Sequence, residues 1–404
     1  MSTSRVIPIV IKSAQSDVER VLLSAPPPLA LYIHFPWCIR KCPYCDFNSH
    51  AVRDNGIPET DYLNALEADL QAALPNVWGR RVISIFIGGG TPSLISTAGL
   101  DRLLTTVRTL LPLAADAEIT LEANPGTIEA GKFAEFRAAG INRVSLGIQS
   151  FDDRQLQRLG RIHDSREARA AIEQAARHFD TWNIDLMYAL PQQTLAEAQA
   201  DVEAALRYAP PHMSCYHLTL EPNTLFHRSP PSLPDEDASA DMQDMIEAYL
   251  AEAGYQHYET SAFAKSGHRC RHNLNYWSFG DYLGIGAGAH GKLSHHTGIV
   301  REMRHKHPNA YLEGATRGDF IQEQRSITAR ELPFEFMMNA LRLIDGVPRS
   351  QFQATTGLPL EAIEAKLIVA RERGLLFIDD THLRPTERGR HFLNDLLEIF
   401  LDND

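Results

Sequence analysis

No run of apolar residues in this chain approaches the roughly 18 needed to cross a bilayer. The start, Val6 to Ile11, is too short for the apolar part of a secretory signal and is followed by Asp17, Glu19 and Arg20. Positive charge is also short: 39 Lys and Arg stand against 51 Asp and Glu, a net charge of −12. This argues against a dedicated nucleic-acid binder, which needs a basic face. Cysteine is scarce and odd in number, five in 404 residues, which argues against a disulfide framework. There is no low-complexity tract and no short internal repeat. The expectation is a cytoplasmic protein whose thiols stay reduced and open to metal. The rest, 44% hydrophobic and 22% charged with both signs interspersed, is a globular profile long enough for two or three domains.

Three of the five cysteines are crowded together. Cys38, Cys42 and Cys45 lie within eight residues, directly after the apolar run from Leu29 to Phe35 that reads as a strand. Arg40 and Lys41 beside them favour thiolates. Two metal centres suit such a loop. One is a four-iron cluster with one iron left open for a small molecule. The other is a structural zinc, with His34 or His50 completing a Cys3His set. Position 47, a place for a further cysteine, is Phe.

The chain then alternates. Strands are expected at 29–35, 82–88, 118–123, 143–149, 183–189 and 213–220, with helical patterns at 61–74, 100–110, 130–139, 166–179 and 195–208. Such alternation implies right-handed crossovers and a parallel sheet, with chemistry at the C-terminal rim. Six units are too few for a closed barrel. The expected fold is therefore α/β, a partial, open (β/α)6 TIM-like barrel. Residues 1–28, ending in Pro26-Pro27-Pro28, read as an extension and linker, 29–235 as the barrel, and 236–331 as an extension of it. Residues 332–404 read as a helical, winged-helix-like domain with helices at 334–343, 361–373 and 387–401 and a two-stranded wing. That shape often binds DNA, but residues 359–404 hold six Lys or Arg against ten Asp or Glu, which points to a structural or protein-contact role.

At the end of the second expected strand stands Gly88-Gly89-Gly90-Thr91-Pro92. Its glycines allow close backbone approach to a ligand. No Gly-Lys-Ser/Thr follows, so it is not a phosphate-binding Walker loop.

A C-x3-C-x2-C loop after the first strand, with aromatic Tyr44 before its last cysteine, and a Gly-Gly-Gly-Thr-Pro turn after the second, resembles the radical S-adenosylmethionine (SAM) enzymes. The resemblance implies a [4Fe–4S] cluster on Cys38, Cys42 and Cys45, with S-adenosyl-L-methionine on the open iron. It implies cofactor contacts from Tyr32, Tyr44, Gly89, Gly90, Thr91, Glu122, Gln149, Arg161 and Asp185. Carboxylates such as Glu122 and Asp185 suit an ammonium group or ribose hydroxyls, and Arg161 suits a carboxylate.

Within that superfamily the chain is similar to the oxygen-independent coproporphyrinogen III oxidase group, which includes the oxidase HemN and the haem-chaperone branch HemW. HemN has a fourth cysteine where this chain has Phe47, and residues 1–30 carry nothing like the N-terminal Tyr-Thr-Ser-Tyr-Pro element of HemN. Arg271-His-Asn-Leu-Asn-Tyr-Trp277 instead matches the His-Asn-x-x-Tyr-Trp element of HemW. The resemblance implies a haem-binding chaperone with His272 as haem ligand and Tyr276 and Trp277 as flat apolar surface. It implies apo-haem proteins such as respiratory enzymes as recipients, an electron donor for the cluster, and peripheral contact with a membrane. Oxidative decarboxylation of coproporphyrinogen III is the alternative activity.

Overall fold

The computed structural model describes residues 23–53, 56–126 and 131–401. Most of the expected extension 1–28, and the first residue of the helix expected over 130–139, lie outside the described residues.

One sheet organises the chain. Its strands are β1 (Leu29–Phe35), β2 (Val82–Gly89), β3 (Leu113–Ala123), β4 (Arg143–Gln149), β5 (Thr181–Tyr188), β6 (His212–His217), β7 (Gln256–Glu259), β8 (Ala262–Ala264), β9 (Asp281–Ile285), β10 (His290–His295), β11 (Gly298–Arg304) and β12 (Ile321–Ile327). They lie in the order β12-β11-β10-β9-β1-β2-β3-β4-β5-β6-β8-β7 and the sheet does not close. β1 to β6 run parallel, as expected of an open barrel of six units. A seventh parallel strand, β9, flanks β1 on the other side, and antiparallel strands continue from both ends.

Each barrel strand has two unlike faces, because successive side chains alternate across the sheet. On β4, Val144, Leu146 and Ile148 enter the apolar core, while Arg143, Ser145, Gly147 and Gln149 line a cleft. On β5, Ile184 and Leu186 face the core, and Asn183, Asp185 and Met187 the cleft. The helices close over the apolar face. The helix Thr97–Leu110 buries Leu100, Leu103, Leu104 and Val107, a 3.6-residue stripe, and starts where the Ser96 hydroxyl accepts the Gly99 N–H. Capping boxes at Asp164 and Thr194 start the helices Ser165–His178 and Leu195–Leu206.

The extension is tied to the barrel by buried charge. Asp281, fully buried on β9, pairs with Arg80 at 2.8 Å and with buried Lys292 at 2.9 Å. Asp69 pairs with Arg304 at 3.0 Å and accepts the Tyr311 hydroxyl.

The C-terminal region holds its own apolar cluster, which Phe279, Ile299 and Ile327 of the extension share. Its small sheet has three strands, not two, because Val347–Pro348 pairs with His382–Pro385 beside Leu376–Ile378. The expected final helix is split: Glu387–His391 ends at Phe392, and Leu393–Glu398 follows with Leu396 buried.

Candidate functional site

The three cysteines sit on the loop that leaves β1 at the C-terminal rim. Backbone bonds fix it: His50 N–H to the Pro36 carbonyl at 2.7 Å, Val52 N–H to that of Cys38 at 2.8 Å, and Phe226 N–H to that of Pro43 at 3.0 Å. Lys41 reaches round to the Phe47 and Ser49 carbonyls. The small-residue run after β9 packs beneath. The Asn48 amide donates to the carbonyls of Ala287 and Lys306, and a Cβ on Gly288 would come within 2.2 Å of that amide.

All three thiols are half-buried and face one cleft. Burial pushes the Cys38 and Cys45 thiols up, so each loses its proton readily only to a metal. Cys45 Sγ lies 3.7 Å from the Ser49 hydroxyl, and Cys42 Sγ 3.6 Å from Arg161 Nη1. Among the described residues no three His, Cys, Asp or Glu side chains are gathered round one ion. The donor set suits a cubane, which takes each thiolate on a different iron. Phe47, 61% exposed, stands at the mouth of the cleft.

The glycine turn ends β2 under this loop. Gly89 has a φ of 115°, and a Cβ there would lie 2.5 Å from the His34 ring, so only glycine fits. Its N–H donates to Glu122 Oε2 at 3.1 Å. The Thr91 hydroxyl accepts the Asn124 amide, and Arg161 Nη2 donates to Asn124 Oδ1 at 2.6 Å and to the Gly147 carbonyl at 2.7 Å. Gln149 closes β4 with a φ of 69°, a strained value for a residue with a side chain. Gln149 Oε1 and Arg161 Nε are buried without partners among the described residues. These orphaned atoms, with the glycine cradle, fit a cofactor bearing amino, carboxyl and hydroxyl groups.

Glu122 and Asp185 lie deeper. Burial, and then the charge of Asp185, push the Glu122 carboxyl up to about 7. Asp185 is also raised by burial, against the pull of Ser145 and Asn183, which donate to it at 3.0 and 2.7 Å.

The three cysteines, Tyr44, Gly89, Gly90, Thr91, Glu122, Gln149, Arg161 and Asp185 thus share one cleft. Tyr32 and His272 do not line it. His34 Nε2 donates to the Asn48 carbonyl at 2.8 Å, so the Tyr32 hydroxyl donates to Nδ1 at 3.0 Å. Tyr32 thereby orients the histidine that steadies the cysteine loop. His272 is 8% exposed on the helix Arg271–Trp277, its Nδ1 3.2 Å from the Ser84 hydroxyl and its ring 5.1 Å from that of Phe86. Burial lowers its pKa to about 4, so it is neutral. Tyr276 and Trp277, expected to offer flat apolar surface, are half-buried: Tyr276 packs on Tyr282 and Trp277 lies under the Arg342 guanidinium at 4.3 Å. Sequence reasoning passed over Asn124, Ser145 and Asn183, which knit the cleft together. The period-2 recurrence of polar residues on the barrel strands is the signal that marks them.

An open parallel sheet whose first strand feeds a three-cysteine loop, and whose second ends in a glycine cradle beneath it, defines a radical SAM protein. The sequence matches the Radical SAM superfamily over residues 32–205 and the HemN C-terminal domain over residues 327–392. It is 50% identical over 377 residues to the heme chaperone HemW of Escherichia coli (strain K12), covering 93% of this chain and 98% of that one. It is 37% identical over 398 residues to HemW of Mycobacterium tuberculosis (strain H37Rv), covering 96% and 99%. The structure of the E. coli coproporphyrinogen III oxidase HemN superposes with a TM-score of 0.78 over 93% of this chain and 90% of that one, at 24% identity, a likeness of fold. The chain belongs to the HemW family of the radical SAM superfamily.

Proposed function

We propose that this protein is a haem chaperone that holds a [4Fe–4S] cluster on Cys38, Cys42 and Cys45, binds SAM beside it, and delivers haem to apo-haem proteins such as respiratory enzymes. The observation that carries this reading is the 50% identity with a heme chaperone along nearly the whole of both chains. Phe47 in place of a fourth loop cysteine separates the chain from the oxidase HemN.

The cluster, when bound and reduced, supplies one electron to the cofactor. The residues of this chain hold and orient. Arg161 fixes Cys42 and the Asn124–Thr91 pair while leaving Nε for an acceptor; ionised Glu122 accepts an ammonium; Asp185 accepts hydroxyls. Tyr44, half-buried in the cleft, covers the cysteine loop from the side of Phe226. His272 is the proposed haem ligand on the strength of its sequence element. With Nδ1 beside the Ser84 hydroxyl, its Nε2 is the nitrogen left for iron, and neutral imidazole is the ligating form. Since the ring is 8% exposed, haem reaches it only when the helix Arg271–Trp277 loosens. We further propose that residues 29–235 act as the cluster and SAM unit, 236–331 as the haem-bearing extension and 332–404 as a protein-contact module in the cytoplasm.

Anaerobic reconstitution followed by haem and coproporphyrinogen III titrations tests the reading. Stoichiometric haem uptake with no turnover of coproporphyrinogen is expected. Sustained protoporphyrinogen formation would make the chain an oxidase instead. Iron and sulfide near zero, with Cys42→Ser behaving as wild type, would leave an interaction protein with a vestigial site.

A further inference from the structure

Below the cofactor residues the cleft continues down the barrel to a group with no assigned role. Arg143 is the first residue of β4 and Gln149 the last, so three pleat repeats, roughly 20 Å, separate the floor from the rim. Arg143 is 3% exposed and lines the cleft. Its guanidinium makes no hydrogen bond and no ion pair among the described residues, and its Nε is buried without a partner. Across the sheet it is paired with Thr120, whose hydroxyl is also buried and unpartnered among the described residues.

The neighbouring acids answer this charge only through space: Glu118 and Asp185 help hold the Arg143 pKa up against burial, but neither bonds to it. Glu118 accepts the N–H groups of Arg271 and His272 at 3.0 and 3.1 Å and the Cys270 thiol. Asp185 accepts Ser145 and Asn183. His212 is held between Asn183 and Tyr258 at 2.6 and 2.8 Å, and burial with the nearby Arg143 charge keeps it neutral. The Asn273 side chain, on the same cleft wall, makes no hydrogen bond among the described residues. A buried guanidinium whose donors meet no acceptor is costly, and a chain retains one where a ligand supplies the acceptor. The planar fork of a guanidinium matches a carboxylate.

We infer that Arg143, with Asn273, forms a carboxylate subsite at the closed end of the cleft that takes a propionate side chain of a tetrapyrrole. The inference rests on the haem-chaperone reading for the identity of the carboxylate. The subsite lies at the same end of the barrel as His272, whose neutral state owes part of its stability to the Arg143 charge.

The test uses metal-free protoporphyrin IX and its dimethyl ester, so that iron ligation does not enter. Wild type should bind the free acid about tenfold or more tighter than the ester, the worth of a charge-assisted pair. Arg143→Met should bind the two alike, and Arg143→Lys should keep a reduced preference. Without ligand, Arg143→Met should melt at or above the wild-type temperature, because a buried guanidinium with unsatisfied donors has been removed. A clear fall in melting temperature would mark Arg143 as structural and overturn the inference. It is also overturned if wild type binds acid and ester alike or binds neither, if Arg143→Met keeps the preference, or if that variant loses SAM affinity in place of discrimination. Haem titrated in parallel separates the two readings. Haem bound without acid–ester discrimination sinks the subsite alone; no haem bound sinks the chaperone reading with it.

Discussion

Arg161 Nη1 lies 3.6 Å from Cys42 Sγ, while Nη2 of the same guanidinium is bonded to Asn124 and to the Gly147 carbonyl. One side chain therefore joins the cysteine loop to the rims of β3 and β4. Arg161→Met leaves the Asn124 and Gly147 acceptors unpaired, at about 1–3 kcal/mol each. The expected outcome is a lower iron content after anaerobic reconstitution and faster bleaching of the cluster in air. Arg161→Lys should recover part of both. Cluster content equal to wild type in Arg161→Met would refute the linkage.

Glu122 gives a pH dependence. Its carboxyl titrates near 7 in the free protein against 4.5 ordinarily. Only the ionised form accepts an ammonium with full charge, so SAM affinity should rise with pH through about 7 and level above it. For stability the sign is opposite. Between 4.5 and 7 the folded state holds the proton that the unfolded chain releases, so this group's contribution to stability falls as pH rises. Glu122→Gln should flatten the binding profile, weaken SAM by roughly tenfold or more, and raise the melting temperature of the apo-protein at pH 8. A SAM-binding profile unchanged by Glu122→Gln would remove the residue from the site.

Asp281 holds the extension on the barrel. Its removal strands Lys292, 1% exposed, and loosens Arg80. Asp281→Ala should cost about 3–5 kcal/mol in chemical denaturation, the range for breaking a buried ion pair. A loss below about 1 kcal/mol would show that water reaches the pair.

His272→Ala should weaken haem binding by tenfold or more and abolish the spectral signature of imidazole ligation. Haem uptake by wild type should also accelerate hydrogen exchange in the helix Arg271–Trp277, since the ring must be uncovered. Equal binding by both proteins would move the ligand elsewhere.

Much of this was legible in the sequence, because the strongest features are local. The spacing of Cys38, Cys42 and Cys45 and the glycines at 88–90 need no tertiary information, and the six parallel strands follow from apolar runs separated by amphipathic helices. β9 was not legible: in Asp281-Tyr-Leu-Gly-Ile285 the strand formers are broken by Asp281 and Gly284, and its partner β1 lies about 250 residues away in sequence. Nor was the split between the uses of the site residues. Tyr32 and His272 read from their motifs as ligand contacts, yet side-chain bonds to His34 and Ser84 turn them to orienting and packing roles in the free chain. Arg143 was hidden for a further reason. A charged residue at a strand start ordinarily reaches solvent, and this one instead points into the cleft, 3% exposed.

The most direct test of the central claim is transfer. Haem-loaded, cluster-reconstituted protein is mixed with the apo-form of a respiratory haem enzyme, and the Soret band and recovered enzyme activity are followed together. Haem should leave this protein for the acceptor with recovery of activity, and Cys42→Ser or His272→Ala should slow or abolish it. Haem that stays bound, or an acceptor that recovers no faster than with free haem, would contradict delivery as the function.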